Sequence, residues 1–355
     1  MATKRRELIF IQQALLELVR AGLWVKEARP SQFGKVDFSA VCAQAEAQGV
    51  IGLMASGLES ADIKPTQIEM LNIVGRALQI EQRNKAMNMF IAELVEKMSS
   101  ANIHTLLVKG QGVAQCYEKP LWRPSGDIDF LLSEDNYKKA RTFLLPLSLG
   151  NKAEERYSKH LGMSIGEWYV EIHGSLRTGL TGRIDKVVDA VQNDVFYGGN
   201  VRPWYNGKTQ VFLPAPTNDV FLVFTHFIKH YYKEGMTLRQ MCDWCRLLWT
   251  YKDTLNFGLL ETWVKKSGLM TEWKGFATVA VEYLGMPNEA MPFNDEKDIQ
   301  NQNRAERLIA FILNGSHGKV RDTFEISKIF PWHTIKFSPS IFLNVNGLKI
   351  KERLF

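Results

Sequence analysis

The chain is poor in cysteine: four residues, Cys42, Cys116, Cys242 and Cys245, in a length of 355. So few, so widely spread, make no disulfide framework. No internal repeat and no low-complexity linker interrupts the sequence, which speaks against a solenoid or a string of tethered modules. Lysine and arginine are not gathered into blocks, although the formal charge is +6. A dedicated DNA-binding surface is therefore not expected, whereas a phosphate-bearing small molecule suits that charge. No apolar run approaches the roughly 18 residues of a membrane span. The strongest stretch, Val220 to Ile228, is short and contains His226. The basic start, Met1 to Arg6, leads into an amphipathic pattern (Leu8, Ile11, Leu15, Leu18, Val19) rather than the unbroken apolar segment of a signal peptide. The expectation is a cytoplasmic protein with no membrane partner.

What remains is an ordinary globular composition, 45% hydrophobic and 23% charged. Residues 1–100 read as helical: the first segment, Phe38 to Gln48, Pro65 to Gln82, and a stripe at Met87, Phe90, Ile91, Leu94 and Met98. Residues 101–215 mix periods. Ile103 to Val108 reads as a buried strand, Val113 to Tyr117 as a helix, Ile128 to Leu132 as a strand entered through Asp127, and Asn136 to Leu144 as a helix. His160 to Ile165 and Trp168 to His173 read as a hairpin turning at Gly166-Glu167, followed by a helix over Asp185 to Val191 and a strand over Gln210 to Leu213. Residues 216–330 return to helix, with Thr217 and Asn218 as caps before Val220, then Leu238 to Tyr251 and segments from Leu259 and Asn303. Residues 331–355 show no period and carry no assignment. The fold class is α+β, a small mixed core between two helical regions.

Chemistry concentrates in Ser125-Gly126-Asp127-Ile128-Asp129-Phe130. On a strand, Asp127 and Asp129 point one way while Ile128 and Phe130 enter the core. Two carboxylates roughly 5 Å apart repel by about 3 kcal/mol at an effective dielectric of 20. A cation offsets that repulsion, and hard oxygen ligands suit Mg²⁺. An isolated Asp-x-Asp is more often a plain start of a strand, with Asp127 capping a turn and Asp129 solvated. Neighbouring residues shift the balance. Lys109-Gly110-Gln111-Gly112 follows a strand and opens a helix, where backbone N–H groups can approach a phosphate. Arg123 lies four residues before Asp127, within reach of a phosphate or simply exposed. Glu171 and His173 share a face of the strand Tyr169 to His173; beside Asp127 and Asp129, Glu171 would complete a set of three carboxylates.

Taken together, Leu107-Val108-Lys109-Gly110, Arg123-x-x-Gly126-Asp127-Ile128-Asp129 and Val170-Glu171-Ile172-His173 resemble an uncharacterised bacterial branch of the polymerase-beta-like nucleotidyltransferase superfamily. The resemblance covers roughly residues 35 to 290. It implies transfer of a nucleoside monophosphate from an NTP to an acceptor, with Mg²⁺ or Mn²⁺ as cofactor. Asp127 and Asp129 would hold the nucleotide-bound ion, and Asp129 with Glu171 the second. Glu171 would help to deprotonate an acceptor hydroxyl, and Lys109, Gly110, Arg123, Ser125 and Gly126 would bind the nucleotide. The superfamily's Gly-Ser or Gly-Gly turn is Gly110-Gln111 here and stands further from the acidic pair, so its phosphate-binding serine is missing unless Ser125 replaces it. The alternatives are a catalytically silent nucleotide-binding regulator and a toxin-type enzyme acting on tRNA or protein. The acceptor is open; modest basicity favours a small molecule or protein over RNA.

His226 and His230 share a helix face at i, i+4, as do Arg239 and Asp243 on the next helix. These four residues are an inter-helix polar network, a wall over the nucleotide as in the resembled branch, or, for the histidines, a zinc site. His173 is a partner of Glu171 or a half-buried strand histidine. Cys242-x-x-Cys245 falls mid-helix without a second pair, which favours core packing over metal.

Overall fold

The computed structural model describes residues 2–151, 153–155, 157, 159–294, 298–314, 326 and 328–337. Four helices come first: α1 (Ala2–Trp24), α2 (Phe38–Ala47), α3 (Ile51–Leu58) and α4 (Gln67–Ser100). Leu15, Leu18 and Val19 of the α1 stripe are buried, while Leu8 stays 43% exposed. Asp37 caps α2 by accepting from the Ala40 N–H. Thr66 and Glu69 form a reciprocal capping box that starts α4. The two expected stretches of residues 65–98 are one continuous helix of 34 residues. Helix α3 is a correction to the sequence reading. Nearly all of its residues are buried, so no polar face marks a helical period. It packs on α1 so closely that a Cβ on Gly22 would lie 2.2 Å from the Leu53 carbonyl oxygen, and one on Gly57 2.0 Å from that of Leu18.

The mixed region comprises β1 (Leu106–Val108), α5 (Gly110–Ala114), β2 (Asp127–Leu131), α6 (Glu134–Leu144), β3 (Gly150–Asn151), β4 (His160–Ile165), β5 (Trp168–His173), α7 (Gly182–Tyr197), β6 (Val201–Asn206) and β7 (Thr209–Pro214). Five strands form one sheet in the order β1-β2-β5-β4-β3. The β2–β5 pair is parallel and the other pairs are antiparallel. The expected hairpin appears with the expected bounds. Strand β6 was not anticipated because Pro203 sits within it; among the described residues β6 pairs with β7 alone, in a two-stranded ribbon where a missing N–H is tolerated.

Helices then return: α8 (Pro216–Lys233), α9 (Leu238–Tyr251), α10 (Phe257–Ser267), α11 (Met270–Thr278), α12 (Ile299–Asn314) and α13 (Pro331–Phe337). The cap of α8 differs from expectation. Ala215 precedes Pro216 in the first turn, where proline's missing N–H costs nothing. Thr217 accepts from the Asn256 N–H at 3.0 Å, and Asn218 donates to Asp194 at 2.8 Å, so both tie helices together instead. Residues 338–355 of the unassigned tail lie outside the described residues.

Burial divides into two main apolar clusters. One joins α1–α3 with α7–α12, around Phe224, Trp244 and Trp273. The other lies under the sheet, where Ile128, Phe130, Val170 and Ile172 meet Met87, Ile91 and Leu94 of α4 and Tyr137 of α6. All four cysteines are buried and free. Among the described residues no helix is long and apolar enough to cross a membrane.

Candidate active site

Sheet register brings the acidic residues together. In the parallel β2–β5 pair, Asp129 stands opposite Glu171 and Asp127 opposite Tyr169. Alternation then puts Asp127, Asp129 and Glu171 on one face, and ligand oxygens of all three lie within 4.8 Å of one another. Ile128, Phe130, Val170 and Ile172 fill the opposite face, so the same apolar spacing that buries the sheet aims the carboxylates. They line a cavity of about 290 Å³ walled on the far side by α8 and α9.

Lys109 sits just before α5 with φ 57° and ψ −148°, followed by Gly110 at φ 39°. For a residue with a side chain such a conformation costs about 1–3 kcal/mol, and strain of that kind clusters at functional sites. Its ammonium donates to Asp129 Oδ1 at 2.8 Å. His173 Nε2 meets the same oxygen at 2.8 Å. Both contacts fall on Oδ1, leaving Oδ2 for an ion. Burial alone would raise the Asp129 carboxyl, but Lys109 and His173 outweigh it and hold it well below the usual range. Asp127 goes the other way, raised first by the Asp129 charge and then by burial. Lys109 is held above its ordinary value: burial opposes its charge, but Asp129, Asp127 and Glu171 prevail.

Two residues expected to bind the nucleotide, Arg123 and Ser125, have partners within the chain. Arg123 is only 6% exposed and forms a bidentate pair with Asp243, Nε to Oδ1 at 2.8 Å and Nη2 to Oδ2 at 2.6 Å. Its Nη1 donates to the Pro124 carbonyl and to the Ser125 hydroxyl. Tyr117 donates to Asp243 as well, at 2.7 Å. Arg123 and Asp243 line the cavity too, but their charged groups are paired with each other, and Ser125 accepts from Arg123. Gln111 faces inward and donates to Asn84 at 2.8 Å. Arg239 also borders the cavity. Its Nη1 donates to the Pro124 carbonyl at 3.0 Å, its Nε has no hydrogen-bond partner, and it makes no ion pair among the described residues. Gly110 and Gly126 also line the cavity.

On the far wall, His226 and His230 approach through their Nε2 atoms at 3.0 Å, and His230 Nδ1 meets Glu234 at 2.9 Å. Burial, then Lys109, pushes His226 well below its ordinary value, so it is neutral. One residue escaped the sequence reading. His160 on β4 pairs across the hairpin with His173, their rings stacked at 4.7 Å. Its Nε2 lies 3.0 Å from Glu171 Oε2. The signal was present, since counting back from the Gly166-Glu167 turn sets residue 160 opposite 173.

One face of the sheet carries three convergent carboxylates that could hold a cation, with a lysine and an arginine lining the same cavity. Residues 34–285 match a family described as "Uncharacterised nucleotidyltransferase", and the chain belongs to that family. No curated protein and no solved structure matches the chain.

Proposed function

We propose that the chain transfers a nucleoside monophosphate from an NTP to a hydroxyl acceptor within the cavity between the sheet and α8–α9. The convergence of Asp127, Asp129 and Glu171 ligand oxygens within 4.8 Å carries the reading. This donor set is all hard oxygen, as Mg²⁺ or Mn²⁺ requires, and Asp129 Oδ2 carries no hydrogen bond from the described residues. Asp127 and Asp129 would hold the ion that accompanies the nucleotide, and Asp129 with Glu171 a second. When bound, such ions supply positive charge to the attacking and leaving oxygens of an in-line displacement.

The chain's own residues do the rest. Lys109 occupies the middle of the carboxylate cluster and swings to the triphosphate when its negative charge arrives. Arg239 offers its remaining N–H groups to the same phosphates, whereas Arg123 is engaged by Asp243. The acceptor oxygen bonds to the α-phosphorus, the bond to the β-phosphate bridging oxygen breaks, and pyrophosphate leaves. Glu171 takes the hydroxyl proton. The modest basicity of the chain favours a small molecule or a protein side chain as acceptor over an RNA end. The family likeness supports nucleotidyl transfer in general, and the polymerase-beta-like ancestry is part of this proposal.

Calorimetric titration of each NTP with Mg²⁺ tests it, using wild type and Asp127→Asn/Asp129→Asn. Metal-dependent binding that the double variant loses is expected. No binding by wild type, or equal binding by both, overturns the proposal.

A further inference from the structure

The donor atoms around Glu171 are not all oxygen. His160 Nε2 and His173 Nε2 approach the same Glu171 Oε2, at 3.0 and 3.6 Å. His173 Nε2 also lies 2.8 Å from Asp129 Oδ1. The two imidazoles are stacked within 3° of parallel, which turns both nitrogens to one side. His160 Nε2 is sealed from solvent, with Glu171 Oε2 as its polar neighbour.

These spacings are close to those of a coordination shell. Ligands bonded at 2.0–2.2 Å around a tetrahedral ion stand about 3.3 to 3.6 Å from one another. The ligand atoms of His160, His173 and Glu171 lie within 4.8 Å of one another, and the two contacts to Glu171 Oε2, 3.0 and 3.6 Å, fall near that edge length. The backbone holds the set rigidly, because His160 and His173 are cross-strand partners and Glu171 lies two residues before His173 on the same strand. All three come from the adjacent strands β4 and β5, so no loop has to move to assemble them.

We propose that His160, His173 and Glu171 form an N₂O cation site that takes a borderline first-row transition ion of the Zn²⁺ or Co²⁺ class in preference to Mg²⁺, with water completing its shell. Imidazole nitrogen suits such ions and is a poor ligand for Mg²⁺, which keeps to oxygen and water. The proposal deepens the reading of the second-ion position, but the site stands or falls on its own ligands whether or not NTP is turned over. Asp127 lies outside it and serves only the oxygen-lined position.

The test is titration of chelator-stripped full-length protein with Co²⁺ in a large excess of Mg²⁺, read by visible absorption. Tetrahedral coordination gives intense ligand-field bands. Wild type and Asp127→Asn should both develop them, and His160→Gln should bind Co²⁺ at least about 100-fold more weakly, beyond what loss of an outer-shell partner alone costs. Circular dichroism of His160→Gln confirms that the half-buried position tolerates the change. Weak bands typical of six-coordinate cobalt in wild type would overturn the proposal, as would strong bands that survive in His160→Gln. Loss of the bands in Asp127→Asn would overturn the separation of the two positions. Failure of NTP binding with the bands intact would sink the nucleotidyl-transfer reading and leave this site standing.

Discussion

Arg123 and Asp243 offer a direct check on which residues hold the fold and which face the ligand. The pair is buried, bidentate at 2.8 and 2.6 Å, and joined by the Tyr117 hydroxyl at 2.7 Å. Removing one partner strands the other's charge in a low-dielectric interior, which costs about 3–5 kcal/mol. A domain stable by about 5–15 kcal/mol survives that loss. Arg123→Met should thus lower the urea-derived folding free energy at pH 7 by about 3–5 kcal/mol, and Asp243→Leu by a similar amount. The double variant should recover most of it, because both charges leave together. A residue of about 1–3 kcal/mol should remain, since Tyr117 keeps a buried hydroxyl without its acceptor. Adding Tyr117→Phe should remove that residue too. Folded Arg123→Met should still bind NTP. Wild-type stability in Arg123→Met together with lost triphosphate binding would refute the reasoning and return Arg123 to the phosphate.

Three further outcomes follow from the packing. A Cβ on Gly52 would stand 2.0 Å from the Trp122 carbonyl oxygen, so Gly52→Ala should cost about 1–3 kcal/mol of stability by urea unfolding, and a change under about 0.5 would be contrary. The cysteines should resist a thiol reagent at pH 8 until the chain unfolds. Burial pushes Cys116 up to about 11, which leaves it on the order of 100-fold less thiolate than a free cysteine. Rapid labelling of native protein would contradict this. Burial lifts Asp219 to about 6 against the pull of Arg202, 2.8 Å away. The native chain therefore keeps that proton from about pH 4 to 6 while the unfolded chain releases it. Stability from this group is full below about pH 4 and is lost as pH rises through about 6. Wild type should fall relative to Asp219→Asn by up to about 3 kcal/mol across that window, whereas parallel curves would show Asp219 ionised throughout.

Local chemistry was legible in the sequence and long-range pairing was not. Ile128 and Phe130 announce a strand whose other face must carry Asp127 and Asp129, and Gly166-Glu167 sets the hairpin that carries Glu171. Those are period-two arguments, and the structure reproduces their geometry. Helix α3 left no trace because it is apolar on all sides, and β6 was hidden by Pro203. Arg123 looked like a phosphate ligand because its partner lies 120 residues away, on a helix whose approach no local pattern predicts. Arg239 and Asp243 share a helix face in sequence. Both line the cavity, and only tertiary packing decides that Asp243 pairs with Arg123 while Arg239 makes no ion pair among the described residues.

Helix α4 has a consequence for how the molecule breathes. Its first half anchors Ile73 and Ala77 in the helical cluster, and its second half anchors Met87, Ile91 and Leu94 under the sheet. Midway, Asn84 bonds the Leu121 and Arg123 carbonyls and accepts from Gln111, so it clamps the loop that leads to Asp127. A rod of about 50 Å rooted at both ends cannot fray from one end without loosening the other. Its amides should exchange with solvent through one shared opening, as a single foldon. A ligand held on the sheet would then lengthen hydrogen-exchange lifetimes near residues 70–80, far from anything it touches.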